Sequence, residues 1–352
     1  MKNSMIEKLK HSGLAAGLVF ALLAGPAAAE QFPIEVMRSG IPHDAFFAVD
    51  FDGSKGVAVG ASPLSGALLY RSDDGGKTWA PDSVKSPLAA LGVTMENGRL
   101  VAVGQQGLVM VADSAGDWQT LEAFTPERLM NVDANGDGLT VAVGAFGSVF
   151  VSRDGGNSWS NAAPDWMAVA DSEEGITQTG PNLYGVSVED DGRITIAGEW
   201  GLVLRSTDAG ATWRVLHAGD TVNQKEDASL FNIHVGDDGR MVAVGQVGQV
   251  LYSEDDGASW KSKDAGTVAN LLSVTRTSGG TYVATAMRDM RISRDGGRSW
   301  EPIRGSDFAI GWYSGSGTVA GQERVFAAGH SGRIVAIDVG EELAGDTRKA
   351  QP

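Results

Sequence analysis

This 352-residue chain contains no cysteine and only five histidines. Without cysteine the chain cannot form disulfide bonds or carry a lipidated N-terminal cysteine, and a structural zinc site is disfavoured because its usual thiolate ligands are missing. The histidines beyond the N-terminal segment, His43, His217, His234 and His330, do not stand at metal-ligand spacing. We therefore expect no metal and no cofactor.

Positive charge is also scarce. The chain has 28 Lys and Arg against 44 Asp and Glu, which gives a formal net charge of −16. Nucleic acids are bound through cationic contacts to phosphates, and anionic membrane surfaces repel an acidic protein. The charge balance argues against nucleic acid and membrane surfaces as partners, and it leaves proteins and glycans.

The only long hydrophobic run lies near the N terminus. Three lysines precede an apolar run over residues 13–25, and an Ala-Ala-Ala triplet ends at residue 29. This is the layout of a cleavable secretory signal, and the run is too short to span a bilayer. We predict a signal peptide over residues 1–29 and an unanchored mature chain in the periplasm, with secretion into the medium as second choice.

Copies of an octapeptide with the pattern S-x-D-x-G-x-[ST]-W recur along the rest of the chain. They occupy residues 72–79, 152–159, 206–213, 253–260 and 293–300, with a worn copy at 112–118. The aspartate can accept hydrogen bonds within its own turn, the glycine can adopt φ > 0, and the indole can fill the gap between neighbouring sheets. This is the Asp-box motif of β-propellers. We assign a structural role to its aspartates and tryptophans: Asp74, Trp79, Asp154, Trp159, Asp208, Trp213, Asp255, Trp260, Asp295 and Trp300.

A second pattern, a large apolar residue followed by a small one, fixes the number of repeats. It begins at Phe47, Leu91, Met130, Tyr184, Phe231, Leu272 and Ile310. Small middle residues suit an innermost strand, where backbones converge on a central axis. With V-A-V-G runs upstream of the boxes, each unit reads as four strands, A to D. The sequence predicts an all-β, seven-bladed propeller.

Ring closure follows from the two ends of this pattern. The seventh unit has strand A near residues 310–314, B at 324–329 and C at 333–338, but no D strand. Residues 33–38 form a spare strand before the first unit, and we predict that it is the outer strand of blade seven. The propeller then spans residues 30–340, with a flexible tail over 341–352, and we expect a monomer.

Residues 133–138 resemble the first half of a calcium-binding loop. The twelfth position is Gly144 instead of glutamate, and the segment falls where every unit has an A–B hairpin. A plain turn is the favoured interpretation, and a calcium site is the alternative.

The cassette V-A-V-G-x-x-G-x-V-x-x-S-x-D-G-G-x-[ST]-W, nearly complete over residues 141–159, resembles the bacterial-neuraminidase-repeat propellers of the photosystem II stability and assembly factor family. This resemblance implies a seven-bladed, non-enzymatic protein that is exported and chaperones membrane-complex subunits. The chain departs from the photosynthetic pattern in three ways: it has a simple secretory signal instead of a plastid transit peptide, it has no lipid-attachment cysteine, and it is strongly acidic where the family typically shows an arginine-rich patch. We expect a binding scaffold that assists assembly or stability of an envelope or membrane protein complex.

The alternative is a sialidase-like or other glycoside hydrolase, or a carbohydrate-binding propeller. Sialidases share the Asp box, but their early Arg-Ile-Pro segment is absent here. Adjacent acids such as Glu173 and Glu174 could serve a glycosidase, although such pairs are usually solvated loop charges. We favour a non-enzyme.

A partner is expected on the rim opposite the boxes, where the B–C turns and D–A connections differ between blades. Two of these connections, roughly residues 160–182 and 217–229, are longer than the others. Aromatic and arginine side chains are favoured interface anchors. The candidate binding residues on this rim are Trp166, Trp200, Arg128, Phe146, Arg288 and His330.

Overall fold

A computed structural model describes residues 32–84, 86–170, 180–219, 228–305 and 307–341. These residues form seven four-stranded antiparallel sheets in a ring, which confirms the predicted seven-bladed β-propeller. The predicted signal peptide and nearly all of the predicted tail lie outside the described residues, as do Glu173 and Glu174. Within the described residues, no helix is long and apolar enough to cross a membrane.

Each of the first six blades contains four consecutive strands, A to D from the axis outward. Blade one contains β2 (Ala45–Asp52), β3 (Lys55–Ser62), β4 (Gly66–Ser72) and β5 (Ala80–Pro81), and blade two contains β6 (Ala90–Glu96), β7 (Arg99–Gly104), β8 (Val109–Asp113) and β9 (Gln119–Thr120). Blade three contains β10 (Leu129–Ala134), β11 (Thr140–Gly144), β12 (Val149–Ser152) and β13 (Ser160–Asn161), and blade four contains β14 (Leu183–Val188), β15 (Ile194–Gly198), β16 (Val203–Ser206) and β17 (Arg214–His217). Blade five contains β18 (Leu230–Val235), β19 (Met241–Gly245), β20 (Gln249–Ser253) and β21 (Lys261–Asp264), and blade six contains β22 (Leu271–Arg276), β23 (Tyr282–Ala286), β24 (Met290–Ser293) and β25 (Glu301–Pro302). A short helix, α1 (Trp166–Ala170), lies between blades three and four.

Blade seven joins the two ends of the chain. Its strands are β26 (Tyr313–Thr318), β27 (Arg324–Gly329), β28 (Arg333–Asp338) and, on the outside, β1 (Ile34–Arg38). Strand β1 pairs antiparallel with β28, with Ile34 opposite Ile337. The predicted closure by the N-terminal strand is therefore present, and it removes the open edges that a linear array would leave.

The predicted position of the seventh inner strand was wrong. The large-small-large match at Ile310, Gly311 and Trp312 precedes β26, whose small middle residue is Gly315. Gly311 is small for another reason, because a Cβ there would lie 1.9 Å from His330 Nε2. Trp312 is half-buried and stacks on Phe47, with ring centroids 6.0 Å apart.

Each inner strand carries a β-bulge at one position. The pairing register between strands A and B shifts across a single extra residue, which is Phe47, Leu91, Met130, Tyr184, Phe231, Leu272 or Ser314. The next residue is small because the neighbouring inner strand is close: a Cβ on Gly92 would lie 2.7 Å from the Cα of Asn131. A bulge changes the direction in which a side chain points. The extra residue is large and apolar in the first six blades and is a serine in blade seven.

A buried ion-pair network joins blades four and five. The Arg205 side chain is 2% exposed and contacts Glu189 at 3.1 Å and Asp256 at 2.6 Å. Arg205 Nε also donates to the Thr195 hydroxyl at 3.0 Å. The guanidinium adds polar contacts to the apolar cluster that also joins these two blades, which includes Val203 and Leu251.

Candidate partner-binding rim

The strand order gives the ring two different rims. Strands in a blade alternate in direction, so the A–B hairpins and the C–D turns share one rim, which we call the lower rim. The B–C turns and the D–A connections share the other, which we call the upper rim. The Asp boxes are C–D turns and therefore lie on the lower rim.

The Asp boxes close their own turns, as predicted. In the first box, Asp74 Oδ1 accepts a hydrogen bond from the Thr78 N–H at 2.9 Å and Oδ2 accepts one from the Thr78 hydroxyl at 2.6 Å. The Gly76 N–H donates to the Ser72 hydroxyl, and Gly76 has φ of 78°. Equivalent bonds hold Asp154, Asp208, Asp255 and Asp295.

These bonds also determine the acidity of the box carboxyls. Hydrogen bonds from Thr78, Ser158 and Thr212 lower the pKa of Asp74, Asp154 and Asp208 to about 2. A carboxylate held this way remains ionised at neutral pH and has its oxygens occupied by the turn. The box acids are therefore unsuited to proton transfer.

The box tryptophans are structural, but not uniform. The indole N–H of Trp79, Trp159 and Trp300 donates to the glycine carbonyl of its own box. Trp213 instead donates to the Ala162 carbonyl of blade three at 2.8 Å, and it joins two blades. The indole nitrogen of Trp260 is buried without a hydrogen-bond partner among the described residues.

The calcium-loop motif forms a hairpin turn. The side-chain oxygen of Asn135 accepts hydrogen bonds from the N–H groups of Asp137 and Leu139, at 3.2 and 3.1 Å. Asp133 lies in β10 and accepts a bond from the Val188 N–H of the next blade at 2.7 Å. Among the described residues, no group of three acidic or histidine side chains is placed to hold a metal ion.

Exposed apolar side chains concentrate on the upper rim. Of eleven large apolar side chains exposed among the described residues, only Val36 and Val215 lie elsewhere, on outer strands. The other nine lie on upper-rim turns and connections: Ile41, Leu64, Phe124, Phe146, Met167, Val247, Val268, Met287 and Ile310. The exposed apolar side chains of the described residues are therefore distributed unevenly between the two rims.

Several B–C turns have a strained backbone conformation at their central residue. Their central residues are left-handed, with φ of 54° at Phe146, 60° at Trp200, 53° at Val247 and 61° at Arg288. Glycine would adopt this conformation more easily, and a β-branched residue such as valine is rare there. Strain of this kind is characteristic of functional surfaces, and the side chains differ from blade to blade.

Four of the six predicted binding residues are accessible on the upper rim. Phe146 is 60% exposed, Arg128 and Arg288 are exposed, and Trp200 is half-buried. Arginine and aromatic side chains are enriched at protein interfaces, so this composition suits a protein partner.

The other two predicted residues have internal contacts. Trp166, the first residue of α1, is half-buried and donates its indole N–H to the Gly147 carbonyl at 3.1 Å. His330 Nε2 lies 3.2 Å from Asp307 Oδ2. These contacts give both side chains a structural role, so they are poor probes of binding.

The mouth of the central channel is a feature that was not predicted from the sequence. The six apolar bulge residues all line the channel at its upper end, and all are half-exposed: Phe47, Leu91, Met130, Tyr184, Phe231 and Leu272. The signal in the sequence is the large apolar residue that begins each of the first six repeats. An apolar collar therefore surrounds the channel on the same rim as the exposed turns.

Below the collar the channel becomes polar. The cavity encloses about 390 Å³, and the side chains that line it deeper include Asp50, Asn131, Asp133, Asn232 and His234. Desolvation raises the pKa of Asp50 to about 6 and that of Asp133 to about 7. Burial lowers the pKa of His234 to about 4.

Known proteins resemble this chain in sequence pattern and in fold. A sequence profile of the family described as photosynthesis system II assembly factor YCF48 matches residues 109–306, and one of the BNR/Asp-box repeat matches residues 70–81. A comparison with curated protein sequences finds no match.

Among solved structures, the structure described as YCF48 bound to D1 peptide is 17% identical, with a TM-score of 0.65, and the match covers 90% of this chain and 99% of that one. YCF48 from Cyanidioschyzon merolae is 18% identical, with a TM-score of 0.66 and coverage of 86% and 98%. The WD40 β-propeller domain of Doa1 is 13% identical, with a TM-score of 0.64 and coverage of 88% and 97%. At these identities the structures support the fold alone.

Proposed function

This chain belongs to the photosynthesis system II assembly factor YCF48 family, and from that premise we propose that it is a non-enzymatic assembly factor that binds a protein partner through its upper rim. The observation that carries the proposal is the distribution of exposed large apolar side chains, since nine of the eleven found among the described residues lie on that rim. A soluble protein gains nothing in stability from such exposure, and interaction surfaces account for it. The apolar collar of the channel extends the same surface inward.

The partner we propose is a subunit of an envelope or membrane protein complex. A structure of this fold is described with a D1 peptide bound, which supports a protein ligand. The secretory layout of residues 1–29 supports export to the periplasm, where the chain assists assembly or stability of the complex.

A hydrolase function is less well supported than a binding function. The Asp box is shared with sialidases, but its carboxylates are held by their own turns. The two acids of the channel, Asp50 and Asp133, each accept a backbone hydrogen bond from a neighbouring strand. We expect no turnover of aryl glycosides by the purified protein.

The test is capture of a partner by rim variants. Immobilised protein, purified from the periplasmic fraction, is exposed to detergent-solubilised envelope of the source cells. The variant Phe146→Ser/Val247→Ser removes two exposed anchors, and we expect capture to weaken by about tenfold or more with an unchanged melting temperature. The matched control is Val36→Ser/Val215→Ser, which removes exposed valines from outer strands. Equal capture by both variants, or glycoside turnover, would refute the proposal.

A further inference from the structure

One wall of the central channel carries two aspartates, Asp50 and Asp133, with the buried Thr94 between them. Asp50, Thr94 and Asp133 occupy equivalent positions in blades one, two and three, three residues after each bulge. Asp50 Oδ2 accepts the Met95 N–H at 2.8 Å, and Asp133 Oδ2 accepts the Val188 N–H at 2.7 Å. The Thr94 hydroxyl lies 3.4 Å from Asp133 Oδ1. The two carboxylates are therefore fixed on one side of the cavity.

No positive side chain among the described residues that line the cavity balances these two carboxylates. The described residues that line it include no lysine or arginine. His234 shares the lining, but its lowered pKa of about 4 keeps it neutral at physiological pH. Desolvation raises the pKa of both aspartates, and the charge of Asp50 raises that of Asp133 further. Carboxylates in this state gain most from a cation brought by a ligand.

The collar and the carboxylates are arranged in series. On blades one and three, the collar residues Phe47 and Met130 precede Asp50 and Asp133 by three residues on the same strand. At about 3.3 Å per residue, this places the carboxylates about 10 Å below the mouth. A ligand group that enters from the upper rim must first pass apolar side chains and then meet negative charge. Long basic side chains have this order, an apolar stem followed by a cation.

We propose that the channel receives a lysine or arginine side chain of the bound partner, with its stem against the collar and its cation against Asp50 and Asp133. This inference rests on the proposed function, because the partner must already lie on the upper rim. Charge complementarity selects the occupant: the cavity holds two carboxylates and an apolar entrance, which suits neither an acidic nor a wholly apolar side chain.

The experiment uses blocked heptapeptide pools whose central residue is fixed as Arg, Lys, Gln or Leu, with uncharged residues randomised elsewhere. We expect immobilised protein to retain the Arg and Lys pools about tenfold better than the Gln pool. The variant Asp50→Asn/Asp133→Asn should lose this preference, while Asn can still accept the backbone hydrogen bonds. The matched control, Glu122→Gln/Glu301→Gln, removes two exposed carboxylates outside the channel and should keep the preference.

A pH series gives a second readout that does not depend on a variant. The preference for Arg over Gln should rise from pH 5 to 8 as Asp50 and Asp133 lose their protons. Other acids near them are Asp52, Glu96 and Asp190, which add negative charge at the lower end of the channel.

The outcomes separate this inference from the function on which it rests. Equal retention of all four pools, or a basic preference that survives in the Asn variant, overturns the channel site. The wild type could instead retain all four pools equally while Phe146→Ser/Val247→Ser retains all four less well. In that case the upper rim binds peptide without the channel site, and the proposed function stands. A preference that does not change with pH also overturns the assignment to these two carboxylates.

Discussion

Phe32 provides a sharp test of how the ring is closed. It precedes β1, is 0% exposed, and packs in a cluster with Met290 and Ile292 of blade six and Val335 of blade seven. A buried phenylalanine removes roughly 150 Å² from water, and at about 25 cal/mol per Å² this contributes about 4 kcal/mol. Truncation to alanine also leaves a cavity, so we expect Phe32→Ala to lower the free energy of unfolding by about 3 to 5 kcal/mol.

The matched control is Val36→Ala in the same N-terminal segment. Val36 is 55% exposed, so its truncation should change the free energy of unfolding by about 0.5 kcal/mol or less. Urea unfolding followed by tryptophan fluorescence measures both variants, since box tryptophans lie at blade contacts. If Phe32→Ala is no more destabilising than Val36→Ala, the N-terminal segment does not hold blades six and seven together.

Two further predictions concern charge. Arg205→Met removes the buried cation from the largely buried Glu189 and the half-exposed Asp256, which keep only the more exposed Arg193, and should cost about 2 kcal/mol in thermal or urea unfolding. Arg240→Met, at a side chain 47% exposed, should cost less than about 1 kcal/mol; equal costs would contradict the buried network. Because the pKa values of Asp50 and Asp133 are raised to about 6 and about 7, these two groups bind protons in the folded state that the unfolded state releases, and their contribution to stability should fall from about pH 4 to 7. His234, with its pKa lowered to about 4, contributes in the opposite direction, because the unfolded state binds its proton more readily. Calorimetry should therefore show that Asp50→Asn/Asp133→Asn gains stability relative to the wild type as the pH rises from about 4 to 7, and an identical pH dependence of the two proteins would be inconsistent with these shifts.

Most of the fold could be predicted because its signals are local. An Asp box closes through bonds between residues four apart, such as Asp74 and Thr78, so its sequence alone specifies the turn. Strands β27 and β28 have the predicted bounds for the same reason, since V-A-V-G-like runs and glycines delimit them. The seventh inner strand was misplaced because Gly311 matches the small residue of the repeat pattern. Gly311 is small for a different reason, since the ring of His330, which is distant in sequence, packs against it.

The candidate site was only partly predictable. Repeat counting identified the rim, and Phe146, Arg128 and Arg288 are exposed there. The structural role of Trp166 could not be predicted from the sequence, because its hydrogen bond to Gly147 joins the connection after blade three to a turn of that blade. The collar was missed because a one-residue bulge alters which side chains face the axis, and alternation along a strand does not reveal a bulge.

The sequence by itself determined the number of blades, the order of their strands and the use of the N-terminal strand to close the ring, because each is encoded in short repeats and in one missing strand. Only the tertiary structure decided which residues from separate blades meet. Asp50 and Asp133 are 83 positions apart in the chain and share one cavity wall. Their raised pKa values, the apolar collar above them and the burial of Phe32 all arise from ring closure, since desolvation depends on neighbours that only the folded ring supplies.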